Sequence, residues 1–355
     1  MKKIFIDPKN LDYSLLKEVA TVIQQGGIVA LPTETVYGLA ACADREEAVE
    51  KLYMIKKRPK EKPFTYVVDE PKKAMNEYFS VMSPFGYRLV EKYWPGPLTI
   101  VYYSQQEDKI IGLRVPSHII TQCILKEAKC RIFLPSANIS GEKEALSSKE
   151  VEEIFNGEID LIVEGINPLY QRPSTVLDLT YHPFKILREG VISEREIINV
   201  FVKKRITFVC TGNTCRSPMA EFLLKKYLRG KKPYLENRYE IISRGIIYFE
   251  GQPLSLSVAK ILREKEKIEV NNFFSKKIER EIILSSDFIF TMEDSQREYI
   301  LKLEPIAEGR VFCLKKFLPS DLEKDVPDPI GKDYKIYEEV YFLIKKAILE
   351  LIEWL

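Results

Sequence analysis

Apolar residues recur three and four apart over residues 11–25, which predicts an amphipathic helix stopped by Gly26-Gly27. A short apolar run at 28–31 then predicts a buried strand, and a helical pattern returns over 45–54. Runs at 64–68, 98–102, 111–115, 131–134, 160–163, 174–179 and 184–190 read as further strands, and 71–78 and 84–93 as helices. Ser117 is placed to cap a helix reaching residue 125. Many short strands, with long helices between only some of them, predict an α/β fold with a mixed, twisted sheet.

The pattern changes near residue 200. Residues 194–204 read as a helix or linker, and from 206 onward strand and helix alternate regularly. Strands are expected at 206–209, 240–243, 288–292 and 310–314, with helices at 255–264, 295–301 and 334–351. That alternation predicts a parallel sheet with helices on both faces. The expected domains are therefore 1–200 and 204–355. No Gly/Ser-rich spacer separates them.

Composition narrows the setting. The 355 residues suit two domains, and 45% of them are apolar, enough to fill real cores. With 54 Lys and Arg against 52 Asp and Glu, the net charge of +2 offers no overall field for nucleic acid or an anionic membrane. No apolar run approaches membrane length and the first residues turn polar at once, so a cytoplasmic protein without a membrane partner is expected. The six cysteines are scattered without a Cys-x-x-Cys pair and only two histidines are present, so no metal site built from protein side chains is expected.

Candidate chemistry concentrates in two places. In Cys210-Thr-Gly-Asn-Thr-Cys-Arg-Ser-Pro218, a strand end meets a helix start across a loop containing Gly212 and Asn213, which tolerate unusual backbone angles. Such a loop can turn its N–H groups inward as an anion cradle. A cysteine there, Cys210, is expected to have a lowered pKa and act as a nucleophile, and the Arg216 fork matches two phosphoryl oxygens. Ser217 is placed to hydrogen-bond the thiolate and Asn213 to brace the loop. Asp328, between Pro327 and Pro329, is the candidate proton donor, with Asp325 its competitor.

The second place lies in the first half. Thr33, Thr35 and Tyr37 follow a strand, where open α/β sheets hold ligands. Lys56 and Arg58 stand in a basic stretch that either is a solvated connection or reaches polyphosphate. Ser136 and Asn138, two apart on extended chain, share a face; they suit a nucleotide or their own turn.

Residues 204–355 resemble the low-molecular-weight protein tyrosine phosphatase family, through the Cys210–Glu221 loop and the Asp328-Pro329 pair. The resemblance implies Cys210 as nucleophile, Arg216 as phosphate clamp, Asp328 as general acid, and support from Thr211, Gly212, Asn213, Thr214, Cys215 and Ser217. It also implies that Cys215 can form a protective disulfide with Cys210. Thr211 is the threonine that follows the nucleophile in the branch resembling protein arginine phosphatases, where it would favour a flat guanidinium-linked phosphate over phosphotyrosine. The substrate so implied is a phosphorylated protein or a small phosphorylated compound.

Residues 1 to about 200 resemble the YrdC-like threonylcarbamoyl-AMP synthases. The matching pieces are Pro32-Thr-Glu-Thr-Val-Tyr-Gly-Leu39, Lys56-Lys-Arg-Pro59, Pro95-Gly-Pro-Leu-Thr99, Leu113-Arg-Val-Pro116, Pro135-Ser-Ala-Asn-Ile-Ser-Gly141, Ser174-Thr-Val-Leu-Asp178 and Leu187-Arg-Glu-Gly190. Such enzymes join threonine, bicarbonate and ATP, with Mg2+ accompanying the ATP, and their product serves modification of tRNA adenosine 37. The resemblance implies that Lys56, Arg58, Ser136 and Asn138 hold the triphosphate. Thr33, Thr35 and Tyr37 line the threonine side, and Thr99, Arg114, Ser174 and Arg188 complete the pocket. Partners so implied are tRNA or the machinery that transfers the threonylcarbamoyl group to it. Lys62 and Val67 depart from the family pattern, which keeps open a reading of this half as a nucleotide- or RNA-binding module beside a single working phosphatase.

Overall fold

The computed structural model describes residues 2–247, 250–318 and 325–355. Contacts divide the chain into two compact units, one of residues to Met82 with Arg88–Ile198, the other of Ser83–Tyr87 with Asn199–Leu355.

The first unit is built on β1 (Lys2–Phe5), α1 (Tyr13–Gln24), β2 (Val29–Leu31), β3 (Gly38–Cys42), α2 (Glu46–Lys56) and β4 (Thr65–Val67). Next come α3 (Pro71–Lys73), α4 (Pro84–Tyr93), β5 (Leu98–Tyr103), β6 (Ile110–Arg114), α5 (Ile119–Glu127), β7 (Ile132–Phe133) and α6 (Ser148–Phe155). Then follow β8 (Leu161–Glu164), β9 (Thr175–Asp178), β10 (Lys185–Arg188) and α7 (Glu194–Val202). The described strands form one mixed sheet in the order β1-β8-β2-β3-β7-β4-β6-β5-β9-β10. Its two faces are apolar in alternation, as a sheet covered on both sides requires. Val29, Leu31, Ala40 and Cys42 pack with Leu16, Ile23, Ile120 and Ile124 of α1 and α5. Their neighbours Ala30, Leu39 and Ala41 pack with Leu52, Val151 and Phe155 of α2 and α6.

Several local expectations change. Ser117 does not cap α5: His118 holds the N-cap position, without a side-chain bond, and the Ser117 N–H is drawn to Glu34 Oε2 at 3.1 Å. The helix expected over 71–78 loosens into a π-turn at Ala74–Tyr78. Strands β1 and β3 and helix α6 were not anticipated. β3, Gly-Leu-Ala-Ala-Cys, has small residues and little β-branched signal, but every residue in it is buried. Helix α6 starts from a Ser-x-x-Glu capping sequence: Ser147 Oγ accepts the Glu150 N–H at 3.2 Å, while Glu150 Oε2 reaches one residue past the cap to the Leu146 N–H at 2.8 Å.

The second unit comprises β11 (Lys204–Cys210), α8 (Arg216–Lys231), β12 (Tyr239–Gly245), α9 (Leu256–Glu266) and α10 (Arg280–Ser285). It continues with β13 (Phe288–Thr291), α11 (Asp294–Leu303), β14 (Val311–Cys313) and α12 (Tyr334–Trp354). Its strands are all parallel, in the order β12-β11-β13-β14. Ile206, Phe208 and Phe290 face α8, α9 and α12, whereas Val209, Ile289 and Val311 face α10 and α11. Each wholly buried side chain of this size contributes about 2 kcal/mol. Helix α8 starts at Arg216, one residue before the expected Ser217, and α10 is an element the pattern did not announce.

A buried carboxylate ties three helices together. Glu266, 2% exposed at the end of α9, accepts Lys226 Nζ at 2.5 Å, Tyr227 Oη at 2.9 Å and Lys345 Nζ at 2.9 Å, and also bonds the Tyr341 hydroxyl. Burial alone would raise its pKa, but the bonds from Lys226, Tyr341, Lys345 and Tyr227 outweigh that and bring it down to about 2. A carboxyl whose folded pKa is depressed adds stability that is present above its ordinary value and is lost as pH falls through the folded one. Chemical denaturation of the second unit should therefore show about 3 kcal/mol of lost stability between pH 5 and 2. Glu266→Gln should remove most of that slope while lowering stability at neutral pH; an unchanged slope would refute the assignment.

Candidate active sites

The catalytic-loop candidates gather at the carboxyl ends of β11 and β13, the edge at which parallel sheets hold ligands. Cys210 is the last residue of β11. Its Sγ receives the Asn213 N–H at 3.3 Å and lies 3.0 Å from Ser217 Oγ. Asn213 takes a positive φ of 55°, which turns that N–H inward. Its side chain braces the loop, donating to Ser217 Oγ at 3.0 Å and Ser243 Oγ at 2.9 Å and accepting the Lys276 N–H at 2.9 Å. Gly245 backs the turn, where a Cβ would stand 2.9 Å from the Thr211 carbonyl.

Arg216 lies 1% exposed under this loop. Its Nη1 donates to the Val326 carbonyl at 2.9 Å and pairs with Glu293; its Nη2 donates to Asp328 Oδ2 at 2.5 Å and Thr211 Oγ1 at 3.2 Å. Thr211 thus has its hydroxyl turned toward the arginine, where Gln296 Nε2 also donates to it at 3.2 Å. Thr214 Oγ1 is 3.7 Å from the buried Cys215 thiol, whose pKa is pushed up by burial. All six cysteines are free thiols.

Glu293 and Gln296 are the residues that sequence reasoning missed. Gln296 Nε2 donates to Glu293 Oε1 at 3.0 Å, completing a ring of Thr211, Gln296, Glu293 and Arg216. The available signal was an acidic residue just past a strand end, in Met292-Glu-Asp-Ser-Gln296.

In the first unit, a cleft of about 490 Å³ is walled by Thr33, Tyr37, Arg58, Thr99, Arg114, Ser136, Ser174 and Arg188. Arg114 is held by Glu34 Oε1 at 2.6 Å, Thr35 Oγ1 at 2.9 Å and the Gly96 carbonyl at 3.2 Å. Thr33 Oγ1 is 2.8 Å from Thr35 Oγ1, and Thr99 Oγ1 is 2.9 Å from Ser174 Oγ. Arg188 donates to the Ser174 carbonyl at 2.9 Å. Arg58 donates to the carbonyls of Lys62 and Pro63 at 2.8 and 3.0 Å. The Tyr37 hydroxyl turns to the Val163 carbonyl at 3.4 Å, and burial pushes its pKa to about 12.

Thr35, Lys56 and Asn138 are buried behind this wall. Lys56 is not the free point charge its place in the basic stretch suggested. All three ammonium protons are engaged, on the Ser136 carbonyl at 2.5 Å, the Asn138 carbonyl at 2.8 Å and Asn138 Oδ1 at 3.1 Å. Burial, with repulsion from Arg58, pushes its pKa down to about 7, while the three oxygens favour the charged form.

The chain resembles known proteins over both units. Residues 21–190 match the Sua5/YciO/YrdC family model, described as "Telomere recombination". The threonylcarbamoyl-AMP synthase of Pyrococcus abyssi is 30% identical over 273 residues, which cover 72% of this chain and 75% of that protein. The chain belongs to the threonylcarbamoyl-AMP synthase family. Residues 205–355 match the model of low molecular weight phosphotyrosine protein phosphatases, so a synthase-family domain is fused here to a phosphatase-family domain. The fold of the P. abyssi synthase, solved in complex with L-threonine, superposes with a TM-score of 0.53 at 24% identity, covering 82% of this chain and 99% of that one. E. coli YciO gives 0.50 at 25% identity, covering 56% of this chain and all of that one. No helix among the described residues is long and apolar enough to cross a membrane.

In the synthase-family domain, Lys56 brackets the 136–138 turn from beneath, so removing it loosens the turn as well as removing charge. If this cleft takes a triphosphate, Lys56→Met should weaken ATP binding by about tenfold or more, the worth of losing one charge-assisted interaction of about 1.5–3 kcal/mol. Titration calorimetry of both proteins checks this; equal affinities would contradict it.

Proposed function

We propose that the chain is bifunctional, with residues 1–200 forming threonylcarbamoyl-AMP and residues 204–355 hydrolysing phosphorylated substrates through Cys210. The observation that carries the second half is the arrangement of Cys210 Sγ under an inward N–H, with Arg216 bonded to Asp328 across the same cradle. The Cys210 thiolate attacks phosphorus, and the bond to the leaving group breaks as Asp328 gives it a proton. Water then attacks the phosphocysteine, Asp328 takes its proton, and the S–P bond breaks to release phosphate. Arg216 and the loop N–H groups stabilise the charge on the equatorial oxygens.

The preferred substrate in this reading is phosphoarginine. Thr211 supports it by family resemblance, and the carboxylates of Glu293 and Asp328 at one cradle suit a guanidinium leaving group better than a phenol.

In the first domain, threonine and bicarbonate condense to a carbamate with loss of water. Its carboxylate attacks the α-phosphorus of ATP, and pyrophosphate leaves. Arg58, Arg114 and Arg188 around the cleft support binding of the anionic groups and Ser136 the triphosphate, with Asn138 behind the wall supporting the Ser136 turn. The cleft wall carries hydroxyls and cations with Glu61 as its carboxylate, so Mg2+ fits as an ion brought by ATP and held by phosphate oxygens and water. Such an ion would supply charge neutralisation at the phosphates. The product would serve tRNA modification in the cytoplasm.

Paired assays on the purified protein test both activities. Pyrophosphate release should require ATP, threonine and bicarbonate together; no release with all three present would favour a binding module. Phosphoarginine should be hydrolysed with a kcat/KM about tenfold or more above that of phosphotyrosine. Cys210→Ser should abolish phosphate release from both and leave pyrophosphate release intact.

A further inference from the structure

Asp325, three residues before Asp328, was the competing candidate for proton donor. Its Oδ1 is committed elsewhere. It accepts the Asp294 N–H at 3.3 Å, lies 3.3 Å from Lys315 Nζ, and receives the Cys313 thiol at 3.6 Å. Burial pushes the Cys313 thiol up to about 11, so it remains a protonated donor. Lys315 also pairs with Asp294 Oδ2, so its ammonium sits between a carboxylate at the first turn of α11 and one on the acid loop. Ligand atoms of Asp294, Cys313 and Asp325 lie within 4.8 Å of one another, as a cation site would need. The Lys315 ammonium already supplies the positive charge there.

The next residue carries the connection inward. The Val326 N–H donates to the Met292 carbonyl at 2.9 Å, its side chain is wholly buried, and its carbonyl accepts Arg216 Nη1 at 2.9 Å. Two residues further on, Asp328 meets Arg216. Proline on both sides of Asp328 makes this stretch stiff, so where Asp325 is held decides where the Asp328 carboxyl stands.

The structure assigns Lys315 as a positioning residue of the phosphatase: its ammonium pins Asp325 to the start of α11 and thereby sets the Asp328 carboxyl over the leaving group. This rests on the reading of Asp328 as proton donor. Proton donation matters most when the leaving group is a poor one. A misplaced acid should therefore hurt phenyl phosphate more than p-nitrophenyl phosphate, and leave anion binding at the cradle alone.

The test compares Lys315→Met, Lys315→Arg, Asp328→Asn and the Lys315→Met/Asp328→Asn double variant of the full chain on these two substrates, with vanadate inhibition as the measure of the cradle. Lys315→Met should lower kcat/KM, which reports the leaving-group step, by about tenfold for phenyl phosphate and far less for p-nitrophenyl phosphate, and leave the vanadate constant unchanged. Lys315→Arg should restore most of the loss. In the Asp328→Asn background, Lys315→Met should cost nothing more. An equal loss of kcat/KM on both substrates, or the same loss again on top of Asp328→Asn, would overturn the assignment while leaving Asp328 as the acid. An Asp328→Asn protein that hydrolyses phenyl phosphate at the full rate would sink the underlying reading, and this one with it.

Discussion

The phosphatase domain depends on one buried guanidinium. Arg216 bonds Thr211 on its own loop, Glu293 just past β13, and Val326 and Asp328 on the acid loop. Removing such a charge from water costs several kcal/mol, which is repaid only when every donor has a well-placed acceptor. Here two carboxylates, a carbonyl and a hydroxyl take four of its five N–H groups. The arrangement also bears on function. Two negative charges hold the arginine, so under the proposed function a phosphate dianion would exchange for part of that set. In the proposed reaction, Asp328 displaced from Arg216 by the phosphate would take up a proton, give it to the leaving group and return to the arginine as a carboxylate.

The synthase-family domain meets the same problem differently. Its buried cation, Lys56, bonds two carbonyls and an amide oxygen rather than carboxylates. Among the described residues no opposite charge lies at hydrogen-bond distance from it, and burial works to lower its pKa. A triphosphate arriving at the cleft wall would supply the missing negative charge. Arg114, in contrast, comes with its own carboxylate, Glu34. Arg114 in the cleft wall is therefore charge-balanced, whereas no ion pair is seen for Lys56 among the described residues.

How much of this could be read in the chain follows from distance along it. Cys210, Arg216 and the loop between them are contiguous, and a strand, a positive-φ turn and a helix start leave a local signature. Asp328 stands far off in sequence but is marked by its two prolines. Glu293 and Gln296 carry no such mark: only the pairing of β13 beside β11 brings them to Arg216. Ser117 looked like a helix cap because its residue type favours capping, yet α5 starts one residue later, with His118 at the N-cap. Lys56 was legible as important, but whether its ammonium points into the cleft or under it depends on packing that no local pattern encodes. Strand β3 was hidden by its small residues, although the Ser-x-x-Glu capping sequence of α6 was there to be found.

The central claim is that Cys210 carries the phosphoryl group between the two halves of the reaction. Acid-quenched turnover mixtures, digested and weighed by mass spectrometry, test it most directly. A phosphoryl group is expected on the peptide containing Cys210, enriched when Asp328→Ala slows breakdown of the intermediate. Full turnover with no phosphorylated cysteine in either protein would contradict it.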